Sequence, residues 1–283
     1  MALLPLLTAL LAAGPSADEA PASKQASRSD ARSELAFVLL PKAELPSFEK
    51  IAAAFQELAP ESEATLRRED SDEKVLSILF GKGRLLAFLM PRPVPNGEAD
   101  DAYPRSLESL LHRDRKPPEH RAHLVLKFVE GPGGSPRDAR VRFTQLVAAV
   151  AQASHATGVY WGAGGVTHDA EFFLKIARER DADVLPLLWC GFDLAREGPA
   201  RVSLLTYGLR EQLGLMDLRV TGRPERFGEV VALAADMVVY VAGRGADIPE
   251  GDTVGRDEDQ RLKVRYEPSP VEPSVKVWRV DLP

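Results

Sequence analysis

The segment Glu119-His120-Arg121-Ala122-His123-Leu124-Val125-Leu126 begins the second half of the chain and continues as an apolar run to Val129. A mostly apolar run of this length is typical of a strand that is buried in a sheet. Glycine-rich sequence follows, and apolar residues then recur at the spacing of one helix face, at Phe143, Leu146, Val147, Val150 and Ala151. This half is therefore predicted to begin with a buried strand and a long amphipathic helix.

The first half is predicted to begin in the same order. Leu35–Leu40 is a continuous apolar run that ends at Pro41, and it indicates a buried strand. Farther along, Val75–Met90 contains two apolar runs around Gly81-Lys82-Gly83, which predicts a β-hairpin. The sequence between the strand and the hairpin has one helical stripe of apolar residues, at Phe48, Ile51, Ala52, Phe55 and Ala59.

A long polar connection, rich in proline, separates the two halves from Pro91 to Pro118. Connections of this length are uncommon inside a compact domain, and they are usually functional or flexible. We expect this one to wrap the surface, with a short helix near Ser106–Leu111.

The remaining elements are predicted from shorter patterns. Thr167 is placed to cap a helix, Pro224 to begin another and Gly243 to end it. Strands are expected at Val159–Trp161, Val184–Phe192, Arg201–Tyr207, Leu215–Val220 and Val275–Val280. Together these elements predict an α+β fold, with a largely antiparallel or mixed sheet and helices packed on one face. Residues 34–283 are expected to form one domain, with two similar α/β halves at 34–118 and 119–283 as an open alternative.

The N-terminus has features of a secretory leader. Residues 1–13 form an apolar run that has the length of a signal-peptide core and is too short to span a bilayer. No lysine or arginine precedes the run, so a misassigned start or a disordered tail is the alternative. Residues 14–33 lack apolar periodicity and predict a disordered linker. A cleaved leader would make the protein periplasmic or secreted, and the protein would otherwise be cytoplasmic. No integral membrane segment is expected in the mature chain.

Composition excludes some partners and chemistries. The chain of 283 residues is 45% hydrophobic, which allows a sizeable core without disulfides or a structural metal. Its net charge of -6 gives no reason to expect nucleic acid as a partner. Cys190 is the single cysteine, so no intrachain disulfide can form, and its apolar surroundings predict core packing. No cofactor is expected.

Four short patterns occur in order along the chain: Glu119–Leu126, Gly158-Val159-Tyr160-Trp161, Thr206-Tyr207-Gly208-Leu209 and Gly251-Asp252-Thr253-Val254-Gly255. In this combination the chain resembles the bacterial family known as domain of unknown function 4261, from about Leu35 to the C-terminus. The resemblance implies no established activity. Met216 stands where relatives tend to have an acidic residue, which weakens any proposal of paired carboxylates there.

His120 and His123 are the candidate metal ligands. On one strand these positions face opposite sides, so convergence on a zinc ion would need His120 to lie in the preceding loop. No acidic or cysteine partner follows at a standard spacing. The alternative is that both histidines have structural roles.

Gly162–Gly165 is the candidate anion-binding loop, because it lies between a predicted strand and a predicted helix. Thr167 occupies the third glycine position of a dinucleotide-binding motif, so a plain turn is the alternative. His168 is expected to face solvent. The acidic residues between Asp247 and Asp259 are interpreted as a solvated loop, with a calcium site as the alternative.

No catalytic set of side chains is assembled in the sequence. We therefore expect a non-enzymatic binding or interaction module with a protein partner. The alternative is a ligand- or metal-binding enzyme that uses His120, His123, Trp161 and Gly164, and a structural part of a larger assembly is a third class. The candidate ligand or partner surface consists of Tyr160, Trp161, Gly164, Thr206, Tyr207, Asp252 and Thr253.

Overall fold

A computed structural model describes residues 33–62, 65–69, 72, 74–131, 135–179, 181–255 and 260–283. The predicted signal peptide at 1–13 and all but the last residue of the predicted linker at 14–33 lie outside the described residues. So do Asp257, Glu258 and Asp259 of the acidic loop. Among the helices in these ranges, none is both long enough and apolar enough to cross a membrane.

The described chain forms fourteen strands and eight α-helices. The strands are β1 Ser33–Leu40, β2 Leu66–Arg68, β3 Val75–Phe80, β4 Gly83–Met90, β5 Ala122–Val129, β6 Gly158–Trp161, β7 Val166–Asp169, β8 Gly191–Arg196, β9 Val202–Tyr207, β10 Leu218–Gly222, β11 Thr253–Val254, β12 Leu262–Lys263, β13 Arg265–Pro268 and β14 Lys276–Asp281. The helices are α1 Phe48–Leu58, α2 Glu98–Ala102, α3 Leu107–Leu111, α4 Pro136–Ala153, α5 Ala170–Ala177, α6 Pro186–Trp189, α7 Leu209–Leu213 and α8 Phe227–Arg244.

The first sheet has seven antiparallel strands in the order β2-β3-β4-β5-β1-β6-β7. Its centre is the pair of apolar strands β1 and β5, as their sequences predict. Helices α1 and α4 pack together over one face, where Val38 and Leu126 of the sheet are fully buried. Ser47 caps α1 and Ser135 caps α4, each through a side-chain oxygen that accepts a backbone N–H.

The connection between the two halves covers part of the other face of this sheet. Leu39 and Tyr160 of the sheet pack there against Val94, Ala99 and Ala102 of the connection. The expected short helix is present as α3, and α2 precedes it. The connection thus supplies buried apolar side chains as well as surface.

The second sheet has five strands in the order β13-β14-β10-β9-β8, with β10 and β14 parallel and the other pairs antiparallel. Helix α8 packs on its inner face, where Val220 and Val230 are fully buried. One apolar cluster runs through both sheets and includes Trp161, Trp189 and Trp278. The α+β class with antiparallel and mixed sheets is therefore confirmed.

Three predictions for the region from Gly162 to Phe192 are wrong. Gly162–Gly165 joins β6 to β7 as a hairpin turn, so it does not lead into a helix. Thr167 lies inside β7 and donates to the Ala99 carbonyl at 2.7 Å, while Asp169 caps α5. The stretch Val184–Phe192 contains α6, and its strand begins only at Gly191. The turn after β6 reverses the chain into the short strand β7, so helix α5 begins only after that strand.

The end of α8 also differs from its prediction, because the helix continues through Gly243 to Arg244. Gly245, with a φ of 67°, adopts the left-handed conformation after it.

Candidate functional site

Both candidate metal ligands contact backbone groups through their ring nitrogens. His120 Nε2 accepts the N–H of Val94 at 3.0 Å, so its proton lies on Nδ1, which is 3.2 Å from the Pro118 carbonyl. His123 Nδ1 lies 2.9 Å from the Arg92 carbonyl, and burial lowers the pKa of this imidazole. Both histidines fasten the connection to the first sheet. The described residues contain no group of three or more His, Cys, Asp or Glu side chains that could hold a metal ion.

Glycine residues allow the two sheets to meet backbone to backbone. A Cβ on Gly164 would overlap the carbonyl group of Trp189, with the carbonyl carbon 2.8 Å away. A Cβ on Gly191 would lie 2.9 Å from the Gly164 oxygen, and one on Gly208 would lie 3.1 Å from the Trp189 oxygen. These four residues form a close contact that we call the glycine junction. A side chain at Gly164 or Gly191 would require the backbone to move, and one at Gly208 would be strained by its φ of 100°.

Arg105 lies beside the glycine junction, at the end of a short 3₁₀ turn in the connection. Its Nη1 donates to the Gly165 carbonyl at 3.2 Å, and its guanidinium carbon lies 5.6 Å from the centre of the Tyr207 ring. Its stem passes Gly191, because a Cβ at that position would be 3.4 Å from the Cβ of Arg105. The guanidinium is therefore held by a carbonyl and an aromatic face.

Arg105 differs from the other half-buried arginines of the described chain in having no carboxylate within ion-pair distance. The others are paired: Arg137 with Asp183, Arg142 with Glu130, Arg201 with Asp281, Arg219 with Glu197, Arg226 with Glu229 and Arg279 with Asp281. A guanidinium has five N–H donors, and the bond to Gly165 uses one of them. The remaining donors make no hydrogen bond to a described residue, so this charge is available to a ligand.

Two tyrosines lie near Arg105, and each has a carboxylate beside its hydroxyl. Tyr207 is half-buried, and its pKa is raised by burial and then by the charge of Asp193. The Tyr160 hydroxyl donates to Glu98 at 2.6 Å, and burial and this contact raise the pKa of Tyr160. Neither carboxylate lies within ion-pair distance of the guanidinium.

The structure brings only part of the predicted ligand surface together. Gly164 and Tyr207 lie at Arg105, and Tyr160 lies close enough for the Arg105 charge to act on it. The others are elsewhere: Trp161 is fully buried in the core, Thr206 is buried and bonds Asp217, and Asp252 and Thr253 are exposed at the two-stranded sheet of β11 and β12.

A second charged cluster fastens the end of the connection to α5. Arg115 binds Glu108 and lies 3.0 Å from Asp169 Oδ2, while Asp169 Oδ1 accepts the Phe172 N–H at 2.8 Å. Burial, followed by the neighbouring Asp169, raises the pKa of Glu108 to about 8. Burial also raises the pKa of Tyr103 beside them to about 12.

Two further titratable groups lie in the interior. Cys190 is completely buried, and burial raises the pKa of its thiol, as expected for core packing. His168 was expected to face solvent, but it is fully buried, with Nε2 3.2 Å from the Leu188 carbonyl. Burial lowers its pKa to about 4. The extra strand β7 turns this residue inward.

Sequence reasoning named Tyr207 and Gly164 but not Arg105 or Glu108. Both missed residues lie in the connection between Pro91 and Pro118, and its unusual length was the one signal that pointed to them. Nothing in the local sequence distinguishes Arg105 from the other arginines, because its lack of a carboxylate depends on residues that are distant along the chain.

A family match covers the C-terminal part of the chain. Residues 205–281 match the sequence model of the family described as a domain of unknown function, DUF4261. Over these residues this confirms the resemblance predicted from Thr206–Leu209 and Gly251–Gly255. Tyr207 lies inside the match and Arg105 outside it. No curated protein and no solved structure matches the chain.

Proposed function

We propose that the protein is a non-enzymatic binding module, which recognises a carboxylate on an extended segment of a protein partner. The observation that carries this proposal is the half-buried Arg105, which has no carboxylate partner among the described residues. Guanidinium groups bind carboxylates through two parallel hydrogen bonds, and such charge-assisted bonds are stronger than neutral ones.

The surroundings of Arg105 favour recognition over catalysis. The guanidinium is fixed by Gly165 and Tyr207, so less rotational freedom is lost when a ligand binds. The pKa of the Tyr207 hydroxyl is raised by burial and then by Asp193, so this phenol stays protonated near neutral pH. A held guanidinium beside a protonated phenol is suited to binding and orienting a carboxylate, whereas acid–base catalysis needs a group with a pKa near the operating pH.

A free strand edge near Arg105 favours an extended peptide as the ligand. Strand β8 is the last strand of its sheet, and β9 is its neighbour on the paired side. Backbone groups on the other side of Asp193–Arg196 have no strand partner in the described chain. Such an edge can accept one more strand, as in many peptide-binding domains.

The alternative of a metal- or ligand-binding enzyme has less support. Both ring nitrogens of His120 lie at backbone groups, and Trp161 is fully buried. Because a metal would have to displace the bond from Val94, we rank this alternative second.

The test uses two peptides that differ only in the central side chain, which ends in a carboxylate in one and in an amide in the other. We would titrate acetyl-Thr-Val-Glu-Val-Thr-amide and its Gln counterpart into the protein and follow NMR signals from the Arg105 side chain and from Asp193–Arg196. The Glu peptide should bind about tenfold more tightly, which corresponds to about 1.4 kcal/mol. Succinate should shift the Arg105 signal alone.

The variant Arg105→Gln should abolish the difference between the peptides, whereas Arg121→Gln should leave it unchanged. Arg121 is an exposed arginine, so this control removes the same charge elsewhere. Equal binding of both peptides to the unaltered protein would contradict the proposal, and so would discrimination that persists in Arg105→Gln.

A further inference from the structure

A cavity of about 730 Å³ lies between α1, α4 and α5, in a different part of the molecule from Arg105. This volume is within the range of pockets that hold small ligands. Its apolar lining comes from Leu58, Phe80, Val141, Ala177 and Leu185. Most of these residues are buried, and the apolar surface open to a ligand belongs mainly to Pro60, Val141 and Ala182.

The basic groups that line this cavity have partners within the protein. Arg142 lies 3.0 Å from Glu130, and Arg178 donates to Gln152 Oε1 at 2.9 Å. The Gln152 amide in turn donates to Glu57 at 2.5 Å. The charge of Arg142 is therefore balanced by a carboxylate, and the exposed Arg178 is held at the neutral Gln152 amide, which also binds Glu57.

The acidic groups of the lining are not balanced in the same way. Glu179 is half-buried, and its side chain makes no hydrogen bond and no ion pair with the described residues. Glu61, at the rim, is also without a described partner. A carboxylate with no partner at an apolar surface favours a cation, because a charge-assisted hydrogen bond is stronger than a neutral one.

Two helix C-termini add to this negative potential. Helix α1 ends at Leu58 and α5 ends at Ala177, and both residues line the cavity. The carbonyl end of a helix carries a partial negative charge and favours a nearby cation. The last turn of α1 contains no basic residue that would offset it, whereas the last turn of α5 contains Lys175 and is followed by Arg178, so α1 contributes more of this potential.

We propose that this cavity binds an organic cation: a primary ammonium group on an apolar body, with the ammonium at Glu179 and the body against Val141 and Ala182. The inference goes beyond the proposed function and is independent of it, because none of the residues at Arg105 lines this cavity.

Phenethylamine and phenethyl alcohol are suitable probes, because they have the same ring and chain and differ in the charged group. Both would be titrated into the full chain and followed by NMR signals of the backbone amides. Phenethylamine should bind about tenfold more tightly, as expected for a charge-assisted contact of about 1.4 kcal/mol. The shifted signals should belong to the ends of α1 and α5.

The variant Glu179→Gln should weaken phenethylamine binding about tenfold and leave phenethyl alcohol unaffected. The control Glu225→Gln removes an exposed carboxylate outside the cavity and should change neither affinity. A second variant, Ala182→Leu, fills part of the cavity and should weaken both compounds. Equal affinities for the two probes would overturn the proposal, as would unchanged binding in Glu179→Gln or signal shifts confined to other regions.

Discussion

A cluster of three arginines and the single residue Arg105 lie over the same outer face of the second sheet, and they differ in how their charge is balanced. Arg219, Arg279 and Arg265 are direct cross-strand neighbours, an arrangement that would be unfavourable for like charges alone. Carboxylates lie among them, with Glu267 2.6 Å from Arg219 and Asp281 2.8 Å from Arg279. At the other end of this face, Arg105 is held by a carbonyl and an aromatic ring instead.

This difference indicates which charges serve the fold and which are left for a partner. In the ion-pair network each guanidinium has at least one carboxylate partner, so removal of one arginine leaves its carboxylates with fewer compensating charges. At Arg105 the surrounding backbone fixes the position of the guanidinium but supplies no counter-charge. The first arrangement stabilises the sheet, and the second preserves a site for binding.

The largest effect is expected from breaking the glycine junction that positions Arg105. Gly164→Ala places a methyl group against the Trp189 carbonyl, which cannot move without shifting β8. We expect a loss of about 3 kcal/mol in the free energy of unfolding, the upper range for overpacking. Urea denaturation measures this value.

The matched control for this variant is Gly228→Ala, in helix α8. A Cβ there meets no atom within 4 Å, so alanine should stabilise the protein by about 0.5–1 kcal/mol. Equal effects of the two substitutions would show that close contact at the junction contributes nothing to stability.

An effect of similar size is expected from acidification, through His168 between the two sheets. Its folded-state pKa of about 4 lies below the unfolded value of 6.5, so the unfolded chain takes up a proton first as the pH falls. The stability from the neutral imidazole is present above pH 6.5 and declines by about 3 kcal/mol as the pH falls to 4.

His168→Gln removes this titration while keeping an N–H donor. The difference in unfolding free energy between the two proteins should therefore change across this pH interval. That difference isolates His168 from Glu108 and Asp217, whose pKa values burial raises to about 8 and about 6 and whose effects oppose it. A constant difference from pH 7 to 4 would exclude His168 as the source.

The smallest effect is expected from a direct comparison of one arginine of the ion-pair network with Arg105. Arg219→Gln leaves Glu197 and Glu267 without one of their partners, so the free energy of unfolding should fall by about 1–2 kcal/mol. Arg105→Gln should lower it by less than about 0.5 kcal/mol, since no carboxylate loses a partner. Thermal unfolding at matched pH would compare them, and equal losses would remove the distinction drawn between the two groups.

Prediction from the sequence was most successful where burial is periodic over many residues. The strands β1 and β5, the β3–β4 hairpin and the helices α1 and α4 each follow from one pattern, whereas the pairing of β1 with β5 does not. The region from Gly162 to Phe192 was misread because its elements are short. Within it, the reversal at Gly162–Gly165 depends on pairing between β6 and β7, which local composition does not reveal.

The sequence by itself determined the α+β class, the long helices and strands, the packing of Cys190 in the core, and the family resemblance of the C-terminal part. These properties depend on local patterns of apolar residues, whose burial is the main driving force of folding. Only the tertiary structure decided which charges find partners. Arg105 meets Gly165 across 60 residues of chain, and its lack of a carboxylate is a property of the whole packed arrangement. Electrostatic balance depends on distances in space, and for Arg105 and Glu179 it was fixed only when distant segments came together.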